Sequence, residues 1–136
     1  MSVFSLTDTL SVSAQITPDD VFTLSEQGFT VIVCNRPDGE TPQQPKMDDI
    51  EAACVTAGML FIRYPVTAMD FPGPDLQGLG ASFDDPAQRV LAYCRTGTRC
   101  ANLWIASRSD EAMSDAVSAA REIGFDLGMA LSWAAN

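Results

Sequence analysis

Apolar positions along the chain fall into two patterns. Short, nearly unbroken apolar runs occur at 29–34 (Phe-Thr-Val-Ile-Val-Cys), 59–66 (Met-Leu-Phe-Ile-Arg-Tyr-Pro-Val) and 90–93 (Val-Leu-Ala-Tyr). Runs of this length between glycine, proline or polar turns predict buried strands. Residues 10–16, Leu-Ser-Val-Ser-Ala-Gln-Ile, alternate as a short strand does. Between these runs the apolar spacing becomes helical. Thr17-Pro18-Asp19-Asp20 reads as a helix start, with Thr17 as N-cap, Pro18 in the first position and acids in the first turn. That helix runs to about Gln27 and ends at Gly28. Met47, Ile50, Ala53 and Cys54 form a stripe on a second helix over 47–57, closed by Gly58, and Cys54 on that stripe is read as core.

A weak helix is expected over 75–83. From Arg99 to about Ser107 the spacing is helical again, with Leu103, Trp104 and Ala106 along one side. Asp110 is expected to cap a longer helix over 111–123, closed by Gly124. A last helix covers 126–135, with Leu127, Leu131 and Ala134 inward; Trp133 is expected on the core first and at a dimer contact second. Polar segments separate the elements: a turn at 35–40, a two-proline loop at 41–46 and a loop at 67–74. Strands alternating with helices predict an α/β fold with a central, mostly parallel sheet of four to five strands flanked by helices. Ligands bind beyond the carboxyl ends of such strands. Cys34–Asn35–Arg36, Val66–Asp70 and Cys94–Arg99 all sit there and are expected to ring one site.

Composition narrows the picture. The 136 residues, 46% of them hydrophobic, suffice for one domain spanning 1–136 with a real core. No apolar run approaches the ~20 residues needed to span a bilayer, and the N-terminus lacks the features of a signal peptide, so a cytoplasmic location is expected. The net charge of −10 disfavours nucleic acid as a partner. Residues 89–108 nevertheless hold Arg89, Arg95, Arg99 and Arg108, half of the eight basic residues, and no acid. This points to a positive pocket for a small anion within an acidic protein.

Histidine is absent. Cys-His and Ser-His catalysis and histidine-ligated metals are thereby excluded. The four cysteines, Cys34, Cys54, Cys94 and Cys100, include no Cys-x2-Cys pair, which disfavours zinc, and the chain is large enough to fold without a disulfide framework. No cofactor is implied.

The chemistry concentrates in Cys94-Arg95-Thr96-Gly97-Thr98-Arg99, where a buried strand delivers a cysteine to a tight loop that opens a helix. Backbone N–H groups of such a loop converge on an anion site. The helix dipole and nearby arginines favour the thiolate of Cys94, and Arg99 can grip an oxyanion with two parallel hydrogen bonds.

The chain resembles the small bacterial domains called beta-lactamase-hydrolase-like, also described as phosphatase-like or sulfurtransferase domains. The resemblance is carried by Gln15-Ile16-Thr17-Pro18-Asp19-Asp20, Gly28-Phe29 with Val31-Ile32, Asn35-Arg36-Pro37-Asp38-Gly39-Glu40, Gln44-Pro45, Pro65-Val66, Leu91-Ala92-Tyr93-Cys94-Arg95-Thr96-Gly97-Thr98-Arg99, Leu103-Trp104 and Gly124-Phe125-Asp126-Leu127. It implies a fold like the dual-specificity tyrosine phosphatases, with the cysteine loop between a central strand and a helix. It also implies Cys94 as nucleophile and Arg99 as anion binder, with Asn35, Arg36 and Asp38 near the pocket. Arg95, Thr96, Gly97, Thr98 and Arg36 are the expected substrate-binding residues. The chain departs at Cys100, where the family has serine. In phosphatases that hydroxyl stabilises the departing thiolate, so its absence argues against a hydrolytic second step, with Thr96 or Thr98 as candidate replacements.

Three functions compete. A phosphatase would form and hydrolyse a phosphocysteine on Cys94, aided by a general acid, for which Asp70 and then Asp38 are candidates. A sulfurtransferase would take sulfane sulfur from a donor such as thiosulfate, hold it as a Cys94 persulfide and pass it to a thiol or cyanide. Four residues separate Cys94 from Arg99. Tyrosine-phosphatase-like loops have five at this point, whereas rhodanese-type loops resemble the four found here. The smaller bowl and the lack of need for an acid put sulfur transfer first. The third reading is a thiol redox sensor or sulfur-carrying module. Cys34 and Cys100 read first as reduced, partly buried thiols, and they are also the two positions from which an oxidised Cys94 could be resolved.

Overall fold

The computed structural model describes all 136 residues. Five strands, β1 (Val3–Ser5), β2 (Leu10–Ser13), β3 (Val31–Cys34), β4 (Leu60–Arg63) and β5 (Val90–Tyr93), form one sheet in the order β1-β2-β5-β3-β4. The β2–β5, β5–β3 and β3–β4 pairs are parallel, and β1 joins β2 antiparallel. Six helices accompany them: α1 (Pro18–Glu26), α2 (Met47–Ala57), α3 (Leu76–Asp84), α4 (Thr98–Ala106), α5 (Asp110–Ile123) and α6 (Gly128–Ala135). The expected α/β class and mostly parallel sheet are found. None of the helices is long and apolar enough to cross a membrane.

Successive side chains of the three central strands bury on opposite faces, so those strands are apolar without polar alternation. Leu10, Val12, Val31, Val33, Val90 and Ala92 face α3 to α6 and pack with Leu103, Ile105, Val117 and Ala120. Ile32, Cys34, Leu91 and Tyr93 face α1 and α2 and pack with Ile16, Val21, Leu24, Ile50 and Cys54. Cys54 lies in this core, as its stripe predicts. The result is three layers, with β5 at the centre of the middle one.

Local signals explain most element ends. Thr17 Oγ1 accepts from Asp20 N at 3.2 Å while Asp20 Oδ2 accepts from Thr17 N at 2.9 Å, a reciprocal cap that starts α1 beside Pro18. Gly58 and Gly124 close α2 and α5 in the left-handed conformation.

Four expectations are corrected. Strand β1 was not foreseen; its three residues are partly exposed and too few to show a period. The apolar run at 59–66 yields only Leu60–Arg63, an edge strand whose Leu60 is exposed. Ser109, not Asp110, caps α5 by accepting from Ala112 N, and Asp110 and Glu111 instead place negative charge in the first turn. In α6, Leu127 and Ala130 face inward, but Leu131, Trp133 and Ala134 are exposed. The helix is anchored at its start: Asn102 of α4 donates to Asp126 O and accepts from Ala130 N, and the second half carries no comparable tie.

Candidate active site

Cys94 directly follows β5, between the carboxyl ends of β2 and β3. Its N–H donates to Ser13 O at 3.3 Å, and Asn35 N donates to Tyr93 O at 2.8 Å. The loop then turns back so that Gly97 N–H points at Cys94 Sγ, 3.1 Å away. The turn requires glycine: Gly97 has φ +91, and a Cβ there would lie 3.3 Å from the Phe125 ring. Gly97 is also the N-cap of α4, so the positive end of the helix faces the sulfur.

Cys94 is 1% exposed, and burial alone would favour its neutral thiol. The donors outweigh that penalty. The neighbouring Cys100 thiol, in the first turn of α4, and the loop N–H groups, Gly97 among them, favour the charged form and bring the Cys94 pKa down to about 6. Cys100 shows the opposite effect. Complete burial and the neighbouring Cys94 charge push its pKa up, so it stays protonated. The Thr96 and Thr98 hydroxyls, the other candidates for supporting the thiolate, bond to each other at 2.9 Å on the loop's exposed side. Arg95 is exposed beside them.

Arg99 is gripped from one end. Glu40 Oε1 accepts from Nη2 at 2.7 Å and Glu40 Oε2 from Nη1 at 2.9 Å, while Val66 O accepts from Nη1 at 2.9 Å. These bonds use three of the five guanidinium hydrogens. The Nε–H and the second Nη2 hydrogen remain, and they form the parallel side-on fork that an oxyanion can accept. Glu40 also accepts from Arg36 Nε at 2.9 Å, and Arg36 reaches Gln15 Oε1 at 3.0 Å. Two guanidinium groups on one carboxylate hold Glu40 below the usual carboxylate range, Arg99 contributing most.

The structure thus joins the β3 turn, Val66 and the cysteine loop, as the strand-end argument expects. Arg36 enters as a buried support behind Glu40, with Nε on Glu40 and Nη1 on Gln15, and not as a guanidinium open to the bowl. Asp38 Oδ1 accepts from Met47 N at 2.9 Å, so it caps α2, where Lys46 at the N-cap has no side-chain acceptor to offer. Asp70 is exposed and folded onto its own turn, accepting from Thr67 N and Oγ1; those bonds hold its carboxyl below the usual range, opposite to a poised acid. Cys34 lies on the α1–α2 side of the sheet. Its thiol donates to Arg36 O at 3.1 Å, and burial raises its pKa.

Two residues of the site had no role assigned from sequence. Glu40 stood only as the last residue of a polar turn, although its neighbourhood with Arg36, four residues earlier, was a usable signal. Asn102, fully buried, ties the first turn of α4 to α6, and a polar residue on an otherwise apolar helix face was its signal.

Comparison with known proteins agrees with this geometry. Residues 3–111 match the family described as beta-lactamase hydrolase-like protein, phosphatase-like domain. A beta-lactamase hydrolase-like protein of Xylella fastidiosa (strain Temecula1) is 31% identical over 136 residues, covering 98% of this chain and 32% of that protein. The chain therefore spans about a third of the length of the curated relatives it matches. A solved structure of a presumed phosphatase from Neisseria meningitidis is 35% identical, with a TM-score of 0.79 over 93% of this chain and 92% of that one. The structure of Tk-PTP in its active form, 18% identical, superposes with a TM-score of 0.66 over 89% of this chain and 83% of that one, a likeness of fold. The cysteine loop between a central strand and a helix is thus part of a tyrosine-phosphatase-like fold, and the chain belongs to the beta-lactamase hydrolase-like protein, phosphatase-like domain family.

Proposed function

We propose that the chain hydrolyses phosphomonoesters through a phosphocysteine on Cys94. The observation that carries this reading is the anion cradle at Cys94, where Gly97 N–H points at Cys94 Sγ from 3.1 Å and the side-on edge of Arg99 in the same loop has no protein partner. Sequence alone places sulfur transfer first, partly because Cys100 stands where a hydroxyl was expected. The Gly97 N–H on Cys94 Sγ gives the second step a group that stabilises the departing thiolate all the same. The phosphatase-like family description favours hydrolysis as well.

In the first step the Cys94 thiolate attacks phosphorus, the S–P bond forms and the P–O bond to the leaving group breaks. The free fork of Arg99 and the loop N–H groups take the charge of the phosphoryl oxygens. In the second step water attacks phosphorus, phosphate leaves and the thiolate returns to its donors. Neither Asp70 nor Asp38 is placed to protonate the leaving oxygen. The reading therefore favours substrates whose leaving group departs as a stable anion, such as aryl phosphates, over alkyl phosphates.

Sulfur transfer is kept as a second reading because of two observations, the four-residue loop and the missing acid. There the thiolate attacks the outer sulfur of thiosulfate, sulfite leaves, and the persulfide passes its sulfur to a thiol acceptor. The test is a side-by-side assay of aryl phosphate hydrolysis and thiosulfate-to-cyanide transfer. Hydrolysis by the wild type that Cys94→Ser abolishes supports the first reading. Sulfur transfer without hydrolysis replaces it with the second.

A further inference from the structure

Asn35 is completely buried at the end of β3, yet its side chain takes no part in the donors on Cys94 or in the Arg36–Glu40–Arg99 cluster. Its backbone carries the sheet one residue past β3: Asn35 N donates to Tyr93 O at 2.8 Å, and Val66 N donates to Asn35 O at 3.2 Å. The last ladder pair of β3 with β5 is Cys34 with Tyr93, so the next step sets Asn35 beside Cys94. After β4 ends at Arg63, the segment Tyr64-Pro65-Val66 is held against the end of β3. Tyr64 N donates to Cys34 O at 2.9 Å. Asn35 makes the other bonds, through its carbonyl to Val66 N and through Nδ2, which donates to Tyr64 O at 3.0 Å. Pro65 has no N–H to add. Val66 O is in turn the backbone acceptor on Arg99 Nη1, at 2.9 Å.

We propose that Asn35 is a positioning residue for Arg99: its side-chain amide fixes the 64–66 segment, so that the Val66 carbonyl meets Nη1 and the side-on fork of Arg99 stays aimed at the oxyanion. The proposal rests on Arg99 being the phosphoryl clamp of the hydrolytic reading.

Arg99 has reason to need this second anchor. Glu40 binds both Nη atoms, but its side chain is 26% exposed on a polar turn, so the ion pair can swing as a unit. Val66 is completely buried, and a carbonyl held there stops the swing. The choice of asparagine fits the same purpose. Because Nδ2 faces Tyr64 O, Oδ1 is left buried with no partner in the protein. Burying an acceptor unpaired lowers stability, and an apolar side chain of the same size would avoid it. The amide is therefore poorly suited to packing and well suited to placing a carbonyl.

The experiment compares the full chain with Asn35→Leu and Asn35→Ala, measuring thermal unfolding, affinity for inorganic phosphate by calorimetry, and kcat and KM for an aryl phosphate. Asn35→Leu keeps the size, removes the unpartnered Oδ1 and leaves Tyr64 O without its donor; the two effects offset, and Tm should move by less than about 4 °C. Asn35→Ala opens a cavity as well and should lower Tm further. Both lose the same donor, so both should weaken phosphate binding about 5- to 10-fold and lower kcat/KM about 10- to 100-fold. A loss that follows Tm instead, large in Asn35→Ala and near zero in Asn35→Leu, makes Asn35 a packing residue and overturns the proposal. An Asn35→Leu protein that fails to fold overturns it too, because the amide is then structural. If wild type binds phosphate and hydrolyses the ester while Asn35→Leu stays within about twofold of it in both, the positioning role falls and the hydrolytic reading stands. A wild type that neither binds phosphate nor hydrolyses the ester overturns both.

Discussion

Glu40 offers the most informative single perturbation, because one carboxylate holds both arginines of the site. Glu40→Ala deletes three charge-assisted hydrogen bonds, from Arg36 Nε at 2.9 Å, Arg99 Nη2 at 2.7 Å and Arg99 Nη1 at 2.9 Å. The Arg36 side chain is only 4% exposed and would keep its charge with Gln15 as its remaining partner. Breaking a buried pair costs about 3–5 kcal/mol. The Glu40 side chain is 26% exposed, so water replaces part of what is lost; about 2–3 kcal/mol is the expected cost after that discount. Glu40→Gln keeps one good acceptor and should cost about 1–2 kcal/mol. At roughly 3–4 °C per kcal/mol for a chain of this length, Glu40→Ala lowers Tm by about 6–12 °C. Because the lost end-on grip also frees the side-on fork of Arg99 to wander, kcat/KM for an aryl phosphate should fall about 10- to 100-fold.

The pH dependence separates this from a general packing defect. Glu40 has a lowered native pKa, so its contribution is fully present above the ordinary glutamate value of about 4.3 and disappears as pH falls through the lower native value. The Tm gap between wild type and Glu40→Gln should therefore narrow on acidification through that window. Thermal unfolding followed by circular dichroism, together with steady-state kinetics, measures both quantities. A variant with unchanged Tm would mean that the carboxylate does not clamp the two arginines. A variant with lowered Tm and unchanged or higher kcat/KM would mean that Glu40 competes with substrate and does not position Arg99.

Three further outcomes follow from the same geometry. Alkylation of Cys94 should be half-maximal near pH 6 and fall as pH drops below it, since the thiolate is the reactive form, whereas an ordinary thiol near 8.5 would titrate more than about two units higher. Gly97→Ala combines a φ of +91 with a Cβ pressed to 3.3 Å from Phe125, and should lose about 1–2 kcal/mol in urea unfolding together with most of the activity, because the same turn aims an N–H at Cys94. Asp70→Asn should change kcat/KM less than about threefold, since the carboxylate bonds its own turn; a loss of about 100-fold or more would identify it as the missing acid.

Much of the architecture was legible because local signals and tertiary context agree. The Thr17-Pro18-Asp19-Asp20 cap, the glycine stops at Gly58 and Gly124, and the apolar runs of β3 and β5 each specify their element without outside help. Two opposed features escaped. Strand β1 exists only because it pairs with β2, which no three-residue window can announce. The exposed second half of α6 depends on where α4 stops supporting it, so its apolar spacing pointed inward wrongly for Leu131, Ala134 and Trp133. At the site, sequence order located the cysteine loop and the strand ends around it. It did not reveal that Asp38 is committed to Met47 nine residues away, or that Glu40 meets Arg99 across 59 residues. Cys100 shows the limit most clearly: its position in the chain suggested a missing hydroxyl, whereas complete burial in the same cluster as Cys94 keeps its thiol protonated.

The central claim is that Cys94 carries the phosphoryl group between the two halves of a hydrolysis. Rapid acid quenching during turnover of an aryl phosphate, followed by peptide mass spectrometry, tests it most directly. A phosphoryl adduct on Cys94 in the wild type, absent from Cys94→Ser, is the predicted result. Phosphate release with Cys94 unmodified at every time point, or no hydrolysis together with an added sulfur on Cys94 after thiosulfate, would contradict it.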